Sequence, residues 1–144
     1  MKKIAPILAL IGTVHGCASV PMGEPALDSE MKRFGTVPDM SRIYIYRNES
    51  IGAAYKMTVT VDGRLVGATA ANTYLVAEVP PGAHTIGSDA ENLTMLKITA
   101  HSGKNVFIWQ EVKMGFNAAR SQLHLVNDFE GRAAVLGTKL AGSF

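Results

Sequence analysis

The chain has 144 residues, 47% of them hydrophobic, which is enough material for one domain that buries its own core. Its 14 Lys and Arg residues nearly balance 12 Asp and Glu residues, and the sequence contains no cationic cluster of the kind that binds nucleic acid. Because Cys17 is the only cysteine, hydrophobic burial rather than disulfide bonding must stabilise the fold.

Residues 1–16 predict a secretory signal peptide. Lys2 and Lys3 give a positive start, and the run over residues 4–14 is apolar apart from Gly12 and Thr13. A run this short does not cross a bilayer core of about 30 Å, which takes about 20 helical residues. A cationic start, a short apolar run and a small residue before the cleavage point are typical of a secretory signal.

The signal ends in Val14-His15-Gly16-Cys17, which resembles a bacterial lipobox: an aliphatic residue three places before a cysteine and a small residue just before it. The resemblance implies cleavage between Gly16 and Cys17, a diacylglycerol on the Cys17 thiol and an acyl group such as palmitate on the new amino group. Two or three acyl chains on one residue hold a protein on a membrane effectively permanently. The alternatives are an ordinary secretory signal followed by a stray cysteine, or a buried structural thiol.

Residues 17–40 predict the acylated cysteine and an extended tether. Pro21, Pro25 and Pro38 interrupt this segment, which has no sustained period of 2 or 3.6 residues. One helical turn is predicted near residues 27–33. A tether of this length would let a folded domain at residues 41–144 stand away from the membrane surface.

From residue 41 onward, short alternating runs predict β-strands separated by turns. The clearest run is residues 55–69, where Asp62-Gly63 supplies the two positive-φ positions of a tight hairpin. A second hairpin is predicted over residues 72–87, with Pro81-Gly82 as the central pair of its turn. Further strands are predicted at residues 42–48, 93–99, 104–114 and 121–127.

After the strands the sequence changes to a helical period. Asn127 can cap a helix, and Glu130 three residues later completes a capping box. Four apolar residues at helical spacing predict the buried face of this helix, namely Phe129, Ala133, Leu136 and Leu140. The predicted fold is therefore mainly β: an antiparallel β-sandwich, or a partly open barrel, with one C-terminal α-helix.

Residues 59–86 resemble the core of PEGA-type sandwich domains, which contain Asp-Gly, a short strand ending in Gly, and a Pro-Gly-x-His turn. These elements fall here on Asp62-Gly63, Gly67 and Pro81-Gly82-Ala83-His84. Together with the lipobox, the first strand and the C-terminal helix, they make the chain similar to a family of small bacterial lipoproteins known mainly as a domain of unknown function. Because the shared motifs are turn motifs, the resemblance implies a fold and carries over no catalytic residue.

The sequence predicts no catalytic or metal site. His84, His101 and His124 lack metal-ligand spacing, and no second cysteine or HExxH sequence accompanies them. No Gly-x-Ser-x-Gly is present, and Asp89 and Glu91 share one loop, where a solvated turn is the default interpretation. We therefore expect no enzyme activity, no metal and no cofactor.

The first strand offers one further candidate, an aromatic surface patch. Tyr44 and Tyr46 alternate with Ile43 and Ile45, so the two pairs lie on opposite faces of the strand. If the isoleucines face the core, Tyr44 and Tyr46 form an exposed patch for a partner or a glycan. Aromatic residues in strands more often fill a core, and the sequence leaves both alternatives open.

The predicted function is that of a non-catalytic lipoprotein of a Gram-negative-type envelope, attached to the membrane through Cys17. Ala18 is not the aspartate that typically retains such lipoproteins in the inner membrane, which favours the outer membrane and a domain facing the periplasm. The expected partner is an envelope protein or the cell wall, contacted through strand edges or hairpin loops. The residues predicted for these contacts are Asp62, Gly63, Arg64, Pro80, Pro81, Gly82 and His84.

Two alternatives accompany this prediction. An accessory lipoprotein of a secretion or export machine belongs to the same class of function. An envelope enzyme or a small-ligand carrier belongs to a different class, and a concave pocket with converging polar side chains would favour it. A filled core with an exposed cluster of loops would favour docking.

Overall fold

The computed structural model describes residues 18–116 and 118–142, and it consists of two β-sheets and two helices. The predicted signal peptide, the predicted cleavage point between Gly16 and Cys17, and the predicted lipidation of Cys17 lie outside the described residues. In chain order the elements are α1 (Pro25–Met31), β1 (Ser41–Arg47), β2 (Met57–Val61), β3 (Arg64–Thr69), β4 (Thr73–Val79), β5 (Gly82–Asp89), β6 (Leu93–Ala100), β7 (Lys104–Met114), β8 (Ala119–Val126), α2 (Asp128–Leu136) and β9 (Lys139–Leu140).

The strands form a sandwich, which confirms the mainly β prediction. One sheet has five strands in the order β8-β7-β1-β4-β9, and the other has four in the order β3-β2-β5-β6. The five-stranded sheet is mixed rather than purely antiparallel, because β1 pairs with β7 and β4 pairs with β9 in parallel. Helix α1 lies where one helical turn was predicted, near residues 27–33, and the short strand β9 was not predicted.

Of the two predicted hairpins, the first is confirmed and the second is wrong. Asp62 (φ 52°) and Gly63 (φ 78°) have the positive φ values of a tight turn between β2 and β3. In contrast, β4 pairs with β1 while β5 pairs with β2 and β6, so the chain changes sheets between them. Pro80 and Pro81 lack an N–H group and cannot extend the ladder of either strand at this crossing.

Strand β1 is buried on both sides, and this overturns the aromatic-patch prediction. Ile43 and Ile45 face an aliphatic core between the two sheets, which we call the inner core. Tyr44 and Tyr46, at 0% and 1% exposure, face a second cluster on the other side of the five-stranded sheet, which we call the outer layer. Burial raises the pKa of Tyr46 to about 12. Neither tyrosine is available to a partner.

The outer layer is covered by the two helices, and so residues 18–40 do not form the extended tether that was predicted. Met31 and Phe34 are buried in this layer. The Tyr44 hydroxyl donates to the Met31 carbonyl (2.9 Å), and the Tyr74 hydroxyl donates to Asp28 Oδ1 (2.7 Å). The amino-terminal segment is therefore part of the folded domain.

Helix α2 begins where it was predicted but buries a different face. Asn127 Oδ1 accepts a hydrogen bond from the Glu130 N–H (2.9 Å), which confirms the cap. The face that packs on the sheet carries Gly131 and Val135. The predicted apolar stripe is wrong: Phe129, Ala133 and Leu136 are exposed, and Leu140 is buried as part of β9.

The strand directions give the sandwich two distinct ends. At the proximal end lie the β1–β2 loop (48–56), the β3–β4, β5–β6 and β7–β8 connections, and Ala18, whose N–H donates to the Ala53 carbonyl (2.8 Å). At the distal end lie the β2–β3 turn (62–63), the β4–β5 crossing (80–81) and the β6–β7 turn (101–103). Residues 18–40 run along the five-stranded sheet from the proximal to the distal end, where β1 begins.

Candidate functional site

Asp62 joins the two predicted contact loops at the distal end. It is the first residue of the β2–β3 turn, where its positive φ lets its carboxylate reach back toward β5. Its Oδ1 accepts a hydrogen bond from the Thr85 N–H (2.8 Å), and its Oδ2 lies 2.6 Å from His84 Nδ1. The register of β2 against β5 creates this contact, because it places residues 22 positions apart side by side.

His84 extends the cluster to the crossing between the sheets. Its second ring nitrogen, Nε2, lies 2.7 Å from the Pro80 carbonyl oxygen. A carboxylate and a carbonyl oxygen can only accept, so both ring nitrogens must donate and His84 is an imidazolium when both bonds are made. We call this arrangement of Asp62, His84 and Pro80 the distal clamp.

The pKa shifts of the distal clamp define the pH range in which it is complete. The hydrogen bond to Asp62, followed by that to Pro80, raises the pKa of His84. Protonated His84 therefore stabilises the folded state below about pH 6.5, and this stabilisation is lost as pH rises through the raised pKa. The hydrogen bond from His84 lowers the pKa of Asp62. Ionised Asp62 therefore stabilises the folded state above about pH 3.9, and this stabilisation is lost as pH falls through the lowered pKa. Both stabilising effects are present together between about pH 4 and 6.5.

Beside the clamp, a groove of about 450 Å³ lies between the edge strands β3 and β4. Its apolar wall consists of side chains that also pack against the inner core: Val61, Val66, Ala77 and Val79. Its exposed charged side chains are Asp62, Arg64 and Glu78. Glu78 is held in place by Arg42, whose Nε donates to Glu78 Oε1 (3.0 Å).

The β4 edge along this groove is unpaired in the described part of the chain. Strand β9 pairs with β4 only through Thr73 and Tyr74, and the last bond on this side runs from the Ala141 N–H to the Tyr74 carbonyl (2.8 Å). Because peptide groups alternate along a strand, those of Val76 and Glu78 point to the same side as that of Tyr74. They offer N–H donors and carbonyl acceptors to an incoming strand.

Most predicted contact residues converge on this site. Asp62, Arg64, Pro80 and His84 line the groove together, and Gly63, Pro81 and Gly82 lie exposed in the adjoining turn and crossing. Glu78 and the free edge of β4 were not predicted from the sequence. The pair Pro80-Pro81 directly after this strand was the available signal, since proline next to a strand favours an edge position.

The hydrogen bonds of His84 limit the chemistry of its ring. Both ring nitrogens of His84 are engaged by Asp62 and Pro80, so neither is free to take a proton from a nucleophile. Within residues 18–116 and 118–142, no three His, Cys, Asp or Glu side chains are grouped to hold a metal ion. In the same part of the chain, neither helix has the length and apolarity needed to cross a bilayer.

Comparison with known proteins gives a family but no activity. The family described as a protein of unknown function (DUF2846) matches residues 38–122, which include the whole groove. An uncharacterized protein from Haemophilus influenzae is 31% identical over 142 residues, covering 96% of this chain and 84% of that protein. No solved structure matches the chain.

Proposed function

The chain belongs to DUF2846, a family of unknown function, and we propose that it is a lipid-anchored envelope protein whose sandwich binds a partner protein without catalysing a reaction. The anchor would be Cys17, in the outer membrane with the domain facing the periplasm. The signal sequence, the lipobox-like Val14-His15-Gly16-Cys17 and the β-turn motifs similar to PEGA-type domains support this proposal.

The observation that carries the binding function is the unpaired edge of β4. An extended peptide beside Val76 and Glu78 would pair with β4 along the part of its edge that β9 leaves free. It would form main-chain hydrogen bonds with β4 and so add a strand to the five-stranded sheet. Its side chains would alternate between the apolar wall of the groove and the other face of the sheet, where Leu27 and Met31 of α1 lie beside Val76. Arg64, Glu78 and Asp62 at the groove margin supply charges of both signs, which would select among peptide sequences.

A crosslinking experiment tests the binding site. A photo-crosslinking amino acid replaces Arg64 at the groove, or Lys97 on the exposed face of β6 as the matched control, in cells that make the full chain. We expect one envelope protein to be crosslinked from position 64 and not from position 97. Equal capture at both positions, or a co-purifying small molecule in the groove without any protein, would contradict the proposal, and the second outcome would favour the carrier alternative.

A pair of variants at position 78 separates main-chain pairing from side-chain contact. Glu78→Pro removes the N–H that faces the free edge, and proline is tolerated on edge strands. Glu78→Ala removes the carboxylate and its bond to Arg42 but keeps the N–H. Strand addition predicts that Glu78→Pro abolishes the crosslink while Glu78→Ala retains it. The opposite pattern would show that the partner binds the carboxylate instead.

The anchor is tested separately. Cys17→Ser in the full chain should abolish fatty-acid labelling and release the protein from membranes, because the thiol that takes the lipid is removed. Retention of unlabelled protein in the membrane fraction would refute the lipid anchor without affecting the groove experiment.

A further inference from the structure

The proximal end exposes large apolar side chains in two neighbouring connections. Ile51 and Tyr55 in the β1–β2 loop are 66% and 36% exposed. Met114 and Phe116, at the turn between β7 and β8, are 46% and 102% exposed. Large exposed apolar side chains grouped at one end of a domain indicate contact with an apolar phase or with a partner.

These side chains are held in place by the fold. The fully buried Arg47 donates to the carbonyls of Gly52 (3.0 Å) and Tyr55 (2.8 Å) and pairs with Glu49 (2.8 Å), which fixes the β1–β2 loop. Gly52 packs against β7 so closely that a Cβ there would lie 2.7 Å from Val112 Cγ1. The loop is therefore fixed against the end of β7 at which the β7–β8 turn begins.

Two cations flank the exposed phenylalanine. Lys113 and Arg120 are direct cross-strand partners, and both are exposed. The Arg120 stem lies along the turn, with its Cδ 3.6 Å from the position of a Cβ at Gly115. Like charges placed directly opposite repel each other, and a shared phosphate group would relieve that repulsion.

Acidic groups also occur at this end. Asp89 and Glu91 are exposed near the β5–β6 connection, and Glu91 is tied to the turn by a bond from its N–H to the Ala119 carbonyl (3.3 Å). Because acids and bases nearly balance, apolar insertion rather than net charge must supply most of the attraction to any surface that this end meets.

The first described residue of the chain lies at this same surface. Ala18 is bonded to Ala53, in the same loop as Ile51 and Tyr55. The described chain therefore begins at this surface, and a lipid attached one residue before Ala18 would be joined to the domain here. Because residues 18–40 are packed onto the sheet, they give no slack that would let the domain turn away from its attachment point.

We propose that the proximal end lies on the lipid bilayer, with Phe116 and Ile51 inserted among the headgroups and Lys113 and Arg120 facing lipid phosphates. This inference rests on the proposed lipid anchor at Cys17 and adds an orientation to it. Aromatic and apolar side chains next to cations are the composition that binds the membrane interface. The distal groove would then face away from the membrane, toward periplasmic partners.

Cysteine labelling in the full, acylated chain tests the orientation, since acylated Cys17 does not react. Phe116→Cys is labelled with a polarity-sensitive dye in isolated membranes, and Leu65→Cys, an exposed apolar site on β3 far from the proximal end, is the matched control. We expect blue-shifted emission and loss of quenching by aqueous iodide at position 116 but not at position 65. Equal quenching at both positions in membrane-bound protein would overturn the orientation and leave the anchor standing.

A second measurement applies if the anchor itself fails. The full chain carrying Cys17→Ser, with the same labels, is mixed with vesicles of phosphatidylglycerol and phosphatidylethanolamine. A blue shift at position 116 alone supports the docking surface independently of acylation, and an unchanged spectrum overturns it. Protection of position 116 before vesicles are added would show that a second copy of the chain covers this surface, which also contradicts the proposal.

Discussion

The inner core and the outer layer lie on opposite sides of the same five-stranded sheet and use different chemistry. The inner core joins sheet to sheet with aliphatic side chains such as Ile45, Leu75 and Ile108. The outer layer joins helices to the sheet with aromatic rings, among them Tyr44 stacked on Phe107 with ring centroids 5.0 Å apart. Aliphatic contacts need matching volume only, whereas a tyrosine also directs its hydroxyl to one acceptor.

This difference matters for the position of the amino-terminal segment. Tyr44 and Tyr74 each bond to a residue of α1, so the outer layer fixes the path from Ala18 to β1. The inner core sets the shape of the sandwich, and the outer layer sets where the chain leaves it. The orientation proposed for the domain on a membrane therefore depends on the outer layer.

The largest expected effect comes from truncating neighbouring residues that face opposite sides. Phe107 and Ile108 are 1% and 0% exposed on the same strand. In the full chain carrying Cys17→Ser, urea unfolding should show losses of about 3–5 kcal/mol for Phe107→Ala and about 2–5 kcal/mol for Ile108→Ala. A loss below about 1 kcal/mol for Phe107→Ala alone would mean that the helices merely cover the sheet and add no second core.

An intermediate effect is expected where α2 touches the outer layer. A Cβ at Gly131 would overlap the Cβ and Cγ of Phe107, which lie close to the strand backbone and cannot move aside. We expect Gly131→Ala to destabilise the domain by about 1–3 kcal/mol, although alanine favours the helical state by about 1 kcal/mol.

Gly137 is the matched control at the end of the same helix. It has φ −84°, and the nearest atom to a Cβ there is the Ala134 carbonyl oxygen at 3.5 Å. Gly137→Ala should therefore change the free energy of unfolding by no more than about 0.5 kcal/mol. Equal effects at both positions would show that the close approach of α2 to Phe107 is not the reason for a glycine at position 131.

Those two glycines show what sequence patterns miss. The stripe Phe129, Ala133 and Leu136 was predicted to face the core because burial usually follows the larger apolar residues. In the structure the smallest residue of the helix, Gly131, packs on Phe107. The short distance between α2 and the sheet therefore decides which face of the helix is buried. Such a distance depends on residues far apart in the sequence and leaves no local periodicity.

Local chemistry, in contrast, was predictable. The Asp62-Gly63 turn, the Asn127 cap and the strand β1 follow from backbone preferences of a few adjacent residues. The pairing of strands could not be predicted in the same way. Turn residues indicate that the chain reverses direction, but they do not indicate which strand the next strand will pair with. For the same reason Asp62 and His84 were predicted as separate contact residues, and their bond required the register of β2 with β5.

The smallest of these effects is expected from removing a single hydroxyl of the outer layer. Tyr74→Phe deletes the bond to Asp28 Oδ1 (2.7 Å) and should destabilise the domain by about 1 kcal/mol at neutral pH. Limited proteolysis should also cleave residues 18–40 faster, because α1 loses one of its bonds to the sheet. Tyr55→Phe, at an exposed tyrosine, is the control and should leave both measurements unchanged.

The acid dependence of the Tyr74→Phe effect identifies its cause. Burial raises the pKa of Asp28, but the Tyr74 hydrogen bond and Lys32 outweigh it, so that pKa is lowered overall. The stabilisation is therefore present above about pH 3.9 and is lost as pH falls through the lowered folded-state value. The difference between the parent chain and Tyr74→Phe should shrink over that range. A difference that stays constant down to pH 2 would assign the effect to ring packing, and the tyrosines of the outer layer would then differ from the aliphatic inner core only in volume.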